Sequence, residues 1–330
     1  MTSTPPSGRS RPKLLLVRVL VLAVLYTLLV ALDRLFGRKV ALAAFALAIV
    51  GVCVAHASGC MRTTNVATYN VRDFGPQTDL ARLTEIVSAV DPDVLALQEV
   101  AEPARVKELA RRLSAGGRRY ASTVSRCGDK LRLALVYDTA AVKLTSTEEI
   151  PDLDPNKGGC DGNERPGLVA RFERDGRAFR LLVVHLAAGS DPARFAKRKE
   201  QWRRVYALVA KMRRESSDPV IVVGDVNSTG YLDDANGERS FVRDSAKSEG
   251  LSLESDGLGC TEYFGPRGRL SPSLLDHVVA TPGAIRWATP RVHGYCPALR
   301  CEPHQGEPPR DFTAVSDHCP VSFRVKTGLF

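Results

Sequence analysis

The 330-residue sequence contains no internal repeat and no Cys-x-x-Cys pair, and past Cys60 it shows no low-complexity tract or interdomain linker. The first absence excludes a stacked repeat array. The second argues against a zinc ribbon, and the third makes everything after Cys60 a single domain. An evenly positive body is lacking too. The formal net charge is +9, but seven of the 46 Lys and Arg and one of the 37 Asp and Glu fall within the first 60 residues, leaving the rest at +3. A polyanionic partner would therefore be met by local patches.

What the first 60 residues do have is apolar length. After a basic tail over residues 1–13, Leu14–Leu32 is apolar apart from Arg18 and Thr27, and Val40–Ala57 is a second apolar run. Each approaches the roughly 17–25 residues that cross a bilayer as a helix, and cations flank them. One reading is a two-helix membrane anchor over residues 14–60. The other is a lipoprotein-like signal, in which Arg38-Lys39 and the apolar run lead to Ala57-Ser58-Gly59-Cys60 and cleavage precedes the cysteine. Ala57 in place of the usual Leu and the long stretch before the run favour the anchor. Beyond it, Cys127, Cys160, Cys260, Cys296, Cys301 and Cys319 form an even set. They suggest disulfides and an oxidising compartment, with Cys296 and Cys301 able to close a short loop. Buried thiols in a reducing compartment are the alternative. The expectation is a cell-membrane protein with residues 61–330 outside the cell.

From residue 63 strand and helix signals alternate. Val220-Ile221-Val222-Val223 is a β-branched run of the kind that suits a strand covered on both faces. Asn65–Val71, Val94–Val100, Leu131–Tyr137, Gly167–Phe172, Phe179–Leu186, Leu274–Ala280 and Pro320–Val325 read as further strands. Gln77–Val90 carries Leu80, Leu83, Ile86, Val87 and Val90 at helical spacing, and Arg194–Arg213 is a long basic amphipathic helix. The run Gly257–Pro272 reads as a loop. This mix predicts an α/β chain of the α+β type, with two packed mixed sheets and helices on their outer faces.

Polar residues collect where these strands end: Asn70 and Arg72, Gln98-Glu99, His185, Gly224-Asp225-Val226-Asn227, Asp276, and Ser316-Asp317-His318. Taken singly, Asn70 reads as a turn residue, Glu99 as a helix-start acid and His185 as a hydrogen-bonded core histidine. In this order they resemble the endonuclease/exonuclease/phosphatase superfamily over roughly Asn65 to Val325. The resemblance implies a four-layer αββα sandwich with the site at one edge of the sheets, which the apolar runs above would precede with one or two transmembrane helices.

Cleaving a phosphate ester needs a cation, an acceptor for the proton of the attacking water, and donors to the non-bridging oxygens. By resemblance, Glu99 would bind a divalent metal, Mg²⁺ or else Mn²⁺ or Ca²⁺, with Asn70 and Asp317 placing the metal or its waters. His318, held by Asp276, would be the general base. Asp225 and Asn227 would orient water and phosphate oxygens, His185 would donate on the opposite side, and Arg132 and Arg165 would contact phosphate. The sequence departs from the deoxyribonuclease I-like branch at Leu131-Arg132, where that branch has an acid supporting the first histidine. His277, next to Asp276, falls on the other face of its strand, and Trp202 and Tyr206 read as core and helix surface. The expected activity is a membrane-anchored nuclease for DNA or RNA. A sphingomyelinase-like phospholipid phosphodiesterase or phosphatase and a non-catalytic binding module are the alternatives.

Overall fold

The computed structural model describes residues 63–128, 130–154, 159–160, 165–266, 268–286 and 290–327. The expected membrane helices, residues 14–32 and 40–57, and the lipoprotein-like Cys60 lie outside the described residues. Among the described residues no helix is long and apolar enough to cross a membrane.

The first half of the domain runs β1 (Thr63–Phe74), α1 (Leu80–Val90), β2 (Val94–Val100), α2 (Pro103–Ser114), β3 (Tyr120–Val124), β4 (Arg132–Asp138), β5 (Lys143–Ile150), β6 (Gly167–Arg174) and β7 (Arg177–His185). The second half begins with α3 (Pro192–Glu215), β8 (Val220–Asp225), α4 (Glu238–Ser248), β9 (Ser252–Leu253), β10 (Glu262–Phe264), β11 (Gly268–Ser273) and β12 (Asp276–Ala280). It ends with β13 (Arg291–Val292), α5 (Tyr295–Ala298), β14 (His304–Gly306), α6 (Arg310–Ala314) and β15 (Val321–Lys326). One six-stranded sheet has the order β13-β15-β1-β2-β4-β3, and the other β5-β6-β7-β8-β12-β9. A three-stranded sheet, β10-β11-β14, accompanies them. Both large sheets are mixed: β1 pairs β2 in parallel and β15 antiparallel, and β7 pairs β8 in parallel while β12 pairs β8 antiparallel.

Alternation along each strand builds the layers. In β8, Ile221 and Val223 join Val66, Leu135, Phe172, Leu181 and Phe323 in the core between the sheets. Val220 and Val222 point the other way, onto Trp202, Val205 and Val209 of α3 and Val242 of α4. In the first sheet, Tyr69 and Leu97 turn outward onto Leu83 and Val87 of α1 and Val106 and Leu109 of α2. The result is the expected αββα stacking. Truncating a side chain as enclosed as Leu181, fully buried between the sheets, would cost about 2–5 kcal/mol. Trp202 and Tyr206 are both core residues, so Tyr206 is not on the helix surface.

Helix ends follow local chemistry. Helix α1 starts at Leu80, later than the sequence signal at Gln77, because the Asp79 side chain accepts from the Arg82 amide. It stops at Asp91, which turns left-handed ahead of Pro92. Asp191 caps α3, whose first residue is Pro192.

Two further sequence expectations are corrected. Cys296 and Cys301 do not close a loop: Cys260 pairs with Cys301, Cys296 with Cys319, and Cys127 with Cys160. Helix α5 and the left-handed Arg300 and Cys301 separate the two thiols and aim Cys301 at Cys260. The stretch Gly257–Pro272 is not all loop, since it holds β10 and most of β11.

Candidate active site

The strand ends meet because of register. Parallel β7 and β8 finish together, with His185 opposite Asp225, and antiparallel β12 begins with Asp276 opposite Asp225. From the other sheet, Asn70 on β1 stands beside Gln98 on β2. Register shifts interrupt the pairing just beyond, between Asn70 and Phe74 and between Leu97 and Val100. Such bulges re-aim side chains at strand ends. Here they accompany left-handed backbone at Arg72, Asp73 and Glu99, a conformation that costs non-glycine residues energy and recurs at functional sites. Gly224 is required where it stands: its φ is +136°, and a Cβ would lie 2.0 Å from the Val184 oxygen of β7.

The oxygens of Asp225 are the junction. Its Oδ2 accepts from Asn70 Nδ2 at 2.9 Å, and lies 3.5 Å from His185 Nε2 and 3.7 Å from His318 Nε2. Asn70 Nδ2 also donates to Glu99 Oε1 at 3.0 Å, and that oxygen is 3.7 Å from His185 Nε2. His318 Nδ1 sits 2.8 Å from Asp276 Oδ2. Asn70, Glu99, His185, Asp225, Asp276 and His318 thus form one connected set. Asn227 adjoins it through its amide, which donates to Asp225 Oδ1 at 2.8 Å. Its side-chain Nδ2 binds the Leu186 carbonyl at 3.0 Å. Asp317 stands to one side, paired with Arg72 at 3.4 Å.

Burial sets the protonation states. His185 lies well below its usual pKa because it is desolvated, with the Arg165 and His318 charges adding to the effect; it is a neutral ring. Burial opposes protonation of His318 too, but the Asp276 and Asp225 carboxylates outweigh it and raise its pKa well above 6.5. Asp225 is raised by burial and by Asp276, against the opposing pull of His318 and two hydrogen bonds.

Ligand atoms of Glu99, His185 and Asp225 all lie within 4.8 Å of one another. Two carboxylates on one side of the set suit a hard divalent cation. Asn70 presents its amide nitrogen to both carboxylates while its oxygen accepts from the Arg72 amide, so in this arrangement it holds the acids in place.

Arg132 pairs with Val100 across β4 and β2, beside Glu99, and its Nε is buried without a hydrogen-bond partner. Arg165 acts on His185 through its charge. His277 is turned away from the site, as its strand phase requires, and lies between the Ser228 and Ser255 hydroxyls at 2.8 Å each.

Ser316 belongs to the closing Ser-Asp-His motif but had no role assigned from sequence, while Thr261 and Glu262 carried no sequence signal. Ser316 Oγ donates to the Asn70 carbonyl and accepts from the His318 amide, tying β1 to the general-base candidate. Thr261 Oγ1 accepts from the Asp276 amide at 3.0 Å. Glu262, which bridges His318 through the backbone, is buried with Oε2 unpartnered. Burial foremost, reinforced by Asp317, Asp225 and Asp276 against the pull of His318, pushes its carboxyl up to about 8. No spacing rule marks a glutamate on a three-residue strand whose partners are distant in sequence.

Residues 67–318 match the Endonuclease/Exonuclease/phosphatase family. The chain belongs to this family. Solved structures share the fold at low identity. TDP2 from Caenorhabditis elegans superposes with a TM-score of 0.57 at 18% identity, covering 90% of this chain and 84% of that one. TDP2 from D. rerio, complexed with single strand DNA product, gives 0.57 at 20%, covering 80% and 99%. The human Nocturnin catalytic domain with bound sulfate anion gives 0.54 at 17%, covering 80% and 94%. A comparison with curated proteins by sequence finds no match. The connected set above occupies the ends of strands from both sheets.

Proposed function

We propose that this member of the family is a metal-dependent phosphodiesterase of nucleic acids, tied to the cell membrane by residues 14–60 with its catalytic part on the external, oxidising side. One observation carries the catalytic reading: His318, hydrogen-bonded to Asp276 at 2.8 Å, faces the cluster of Glu99, His185 and Asp225. A carboxylate-held imidazole beside paired acids can accept a proton from water and steer it toward a phosphate.

In this reading Asp276 fixes the His318 ring with Nδ1 engaged and Nε2 facing Asp225. His318 Nε2 would take the proton of the attacking water in its neutral form, which becomes available when the charge of Asp276 and Asp225 that holds the ring protonated is offset. A divalent cation, Mg²⁺ or else Mn²⁺ or Ca²⁺, bound by Glu99 and Asp225 would neutralise the charge on the phosphate oxygens. Asn70 holds those two carboxylates, and Asp317 with Arg72 closes one side. Neutral His185 donates a hydrogen bond to a phosphate oxygen. Asn227 steadies Asp225 through its amide, and Arg132 and Arg165 attract the polyanion.

The DNA product in the D. rerio TDP2 structure supports a nucleic-acid substrate. The disulfides and the apolar runs of residues 14–57 support the external, anchored placement. One feature favours a second reading, a phospholipid phosphodiesterase: Phe264, two residues from Glu262, is 54% exposed. A non-catalytic module would have no need of the Asp276–His318–Asp225 connection.

The test is the purified full chain assayed on plasmid DNA, RNA and sphingomyelin, with Mg²⁺ or with chelator. Cleaved nucleic acid that chelator protects is the expected result. Intact nucleic acid alongside released phosphocholine would overturn it in favour of the lipid reading. Thiol labelling of intact cells tests the topology, since six reactive thiols would refute an oxidised, external domain.

A further inference from the structure

The start of β10 pairs with the segment that carries the general-base candidate. The Tyr263 amide donates to the Asp317 carbonyl at 3.0 Å and the Cys319 amide to the Thr261 carbonyl at 2.7 Å, so Glu262 and His318 stand directly opposite each other. In an antiparallel pair of this kind both side chains leave the same face, from Cα atoms about 4.5 Å apart. On that face His318 turns to Asp276 and Asp225. Glu262 therefore points toward the candidate site beside His318.

Strand phase extends this face outward. Tyr263 points the other way, fully buried with Tyr295 and Cys319, its hydroxyl donating to the Glu302 carbonyl at 2.9 Å. Phe264 shares the Glu262 face about 7 Å further along β10, and it is 54% exposed. On β11, Ser273 and Ser271 lie opposite Glu262 and Phe264, and Arg269 follows in phase. A single exposed ring bordered by serines and an arginine is not the contiguous apolar patch that a lipid surface needs.

The face also has an unmet hydrogen-bonding group. Among the described residues neither carboxyl oxygen of Glu262 has a hydrogen-bond partner; Oε2 is enclosed, and the residue keeps 8% of its surface exposed. Burying a carboxyl without a partner is unfavourable. A ligand that supplies the missing hydrogen bond recovers part of that cost.

Along the face the order is His318, Glu262, Phe264, and a nucleotide presents phosphate, sugar and base in the same order. His318 marks the scissile phosphate in the reading above. An exposed ring is a stacking surface that tolerates any base. Between the two, the sugar of a nucleotide within a chain offers one free hydroxyl, the 2′-OH, and only RNA carries it.

We propose that Glu262 selects ribose: it hydrogen-bonds the 2′-hydroxyl of the nucleotide at the scissile phosphate, whose base lies on Phe264. The inference rests on the phosphodiesterase reading above and narrows its substrate to RNA. A hydroxyl both donates and accepts, so it satisfies the carboxyl with or without its proton. A site built around such a bond rejects the analogue that lacks it, because the enclosed group is then left unpaired.

The experiment measures kcat/KM of the full chain with Mg²⁺ on single-stranded oligouridylate and on oligodeoxyuridylate of equal length, which differ only in the 2′-hydroxyl. The wild type is expected to favour the ribo chain by at least about tenfold. Glu262→Leu should bring the two values within about twofold of each other by slowing the ribo chain, and Glu262→Ala serves where leucine does not fit. Glu262→Gln, which keeps a hydrogen-bonding side chain, should retain most of the preference. Phe264→Ala should raise KM on both chains and leave their ratio as it was. Equal wild-type values, or a ribose preference that survives in Glu262→Leu or Glu262→Ala with circular dichroism unchanged, would overturn the assignment. Binding of the two labelled chains in chelator, read by fluorescence anisotropy without turnover, separates the two claims. Neither chain cut, with the ribo chain bound at least about tenfold more tightly, removes catalysis and keeps the ribose site. Neither chain cut, with equal binding, removes both, whereas both chains cut equally well removes the ribose site alone.

Discussion

Replacing Glu262 by Gln keeps the side-chain shape and removes the charge. In the native protein this carboxyl is buried, one oxygen has no partner, and its pKa is pushed up from 4.5 to about 8. Between those values the native state keeps the proton and the unfolded chain releases it. Stability must therefore fall as pH rises through that window, by about 1.4 kcal/mol per unit and up to about 5 kcal/mol in all. Side-chain relaxation and water entry make the last figure an upper bound. Asp225, raised in the same direction, contributes a fall of its own, so the informative quantity is the difference between the two proteins. Urea unfolding followed by circular dichroism at pH 5, 7 and 9, in chelator so that no cation binds the carboxylates, measures it. The Gln variant should match the wild type within about 1 kcal/mol at pH 5 and exceed it by at least about 1.4 kcal/mol, a factor of ten, at pH 9. Parallel stability profiles across the three pH values would mean that the carboxyl is ionised at neutral pH and that the burial argument fails.

Asp276→Asn should leave the fold intact while lowering kcat by about 10²–10⁴, the usual worth of a general base; unchanged turnover would remove His318 from that role. Glu99→Ala should abolish Mg²⁺-stimulated cleavage with the thermal unfolding curve of the metal-free protein preserved, and retained stimulation would count against it as a ligand. His277, lowered to about 4 chiefly by burial, should show an NMR titration midpoint far below that of an exposed histidine, and a midpoint above 6 would contradict its enclosure. Because it stays neutral where the unfolded chain is protonated, its share of stability is present above 6.5 and lost as pH falls toward about 4. Gly224→Ala forces a Cβ onto the Val184 carbonyl at positive φ and should destabilise by more than about 3 kcal/mol, read as a lowered urea midpoint.

What the sequence made legible was whatever local spacing encodes. The β-branched run of β8, the apolar face of α1 and the polar ends of β1, β2, β7, β8 and β12 all follow from periods of two or 3.6 residues and abrupt changes of chemistry. What escaped depends on distant partners. Strand β5 is mostly exposed and so carries no buried face to read. Helix α4 buries only Val242 and Ala246 among its apolar residues. Arg198 and Glu238 look like solvated charges until the fold brings them together across 40 residues. The disulfide pairs likewise join cysteines 33, 41 and 23 residues apart, and nearness in sequence pointed to the wrong one. Glu262 combines all of these difficulties: a short strand, a distant backbone partner, and a charge whose meaning comes only from what surrounds it.

Asp225 shows how the fold sets the precision of the site. A single carboxylate oxygen meets Asn70 from one sheet, His185 from the neighbouring strand of the other, and His318 from the segment entering β15. The separation of those groups is therefore the separation of the two sheets. That distance is fixed two residues back along β8, where Val223 packs in the core between the sheets with Val66 and Phe323. Close-packed interiors resist changes in volume, so the site inherits its rigidity from the core. Gly224, between Val223 and Asp225, then allows the closest approach to β7. On this geometry Gly-Asp-x-Asn does more than orient: it brings the acid to the one point that both sheets share, next to Glu99.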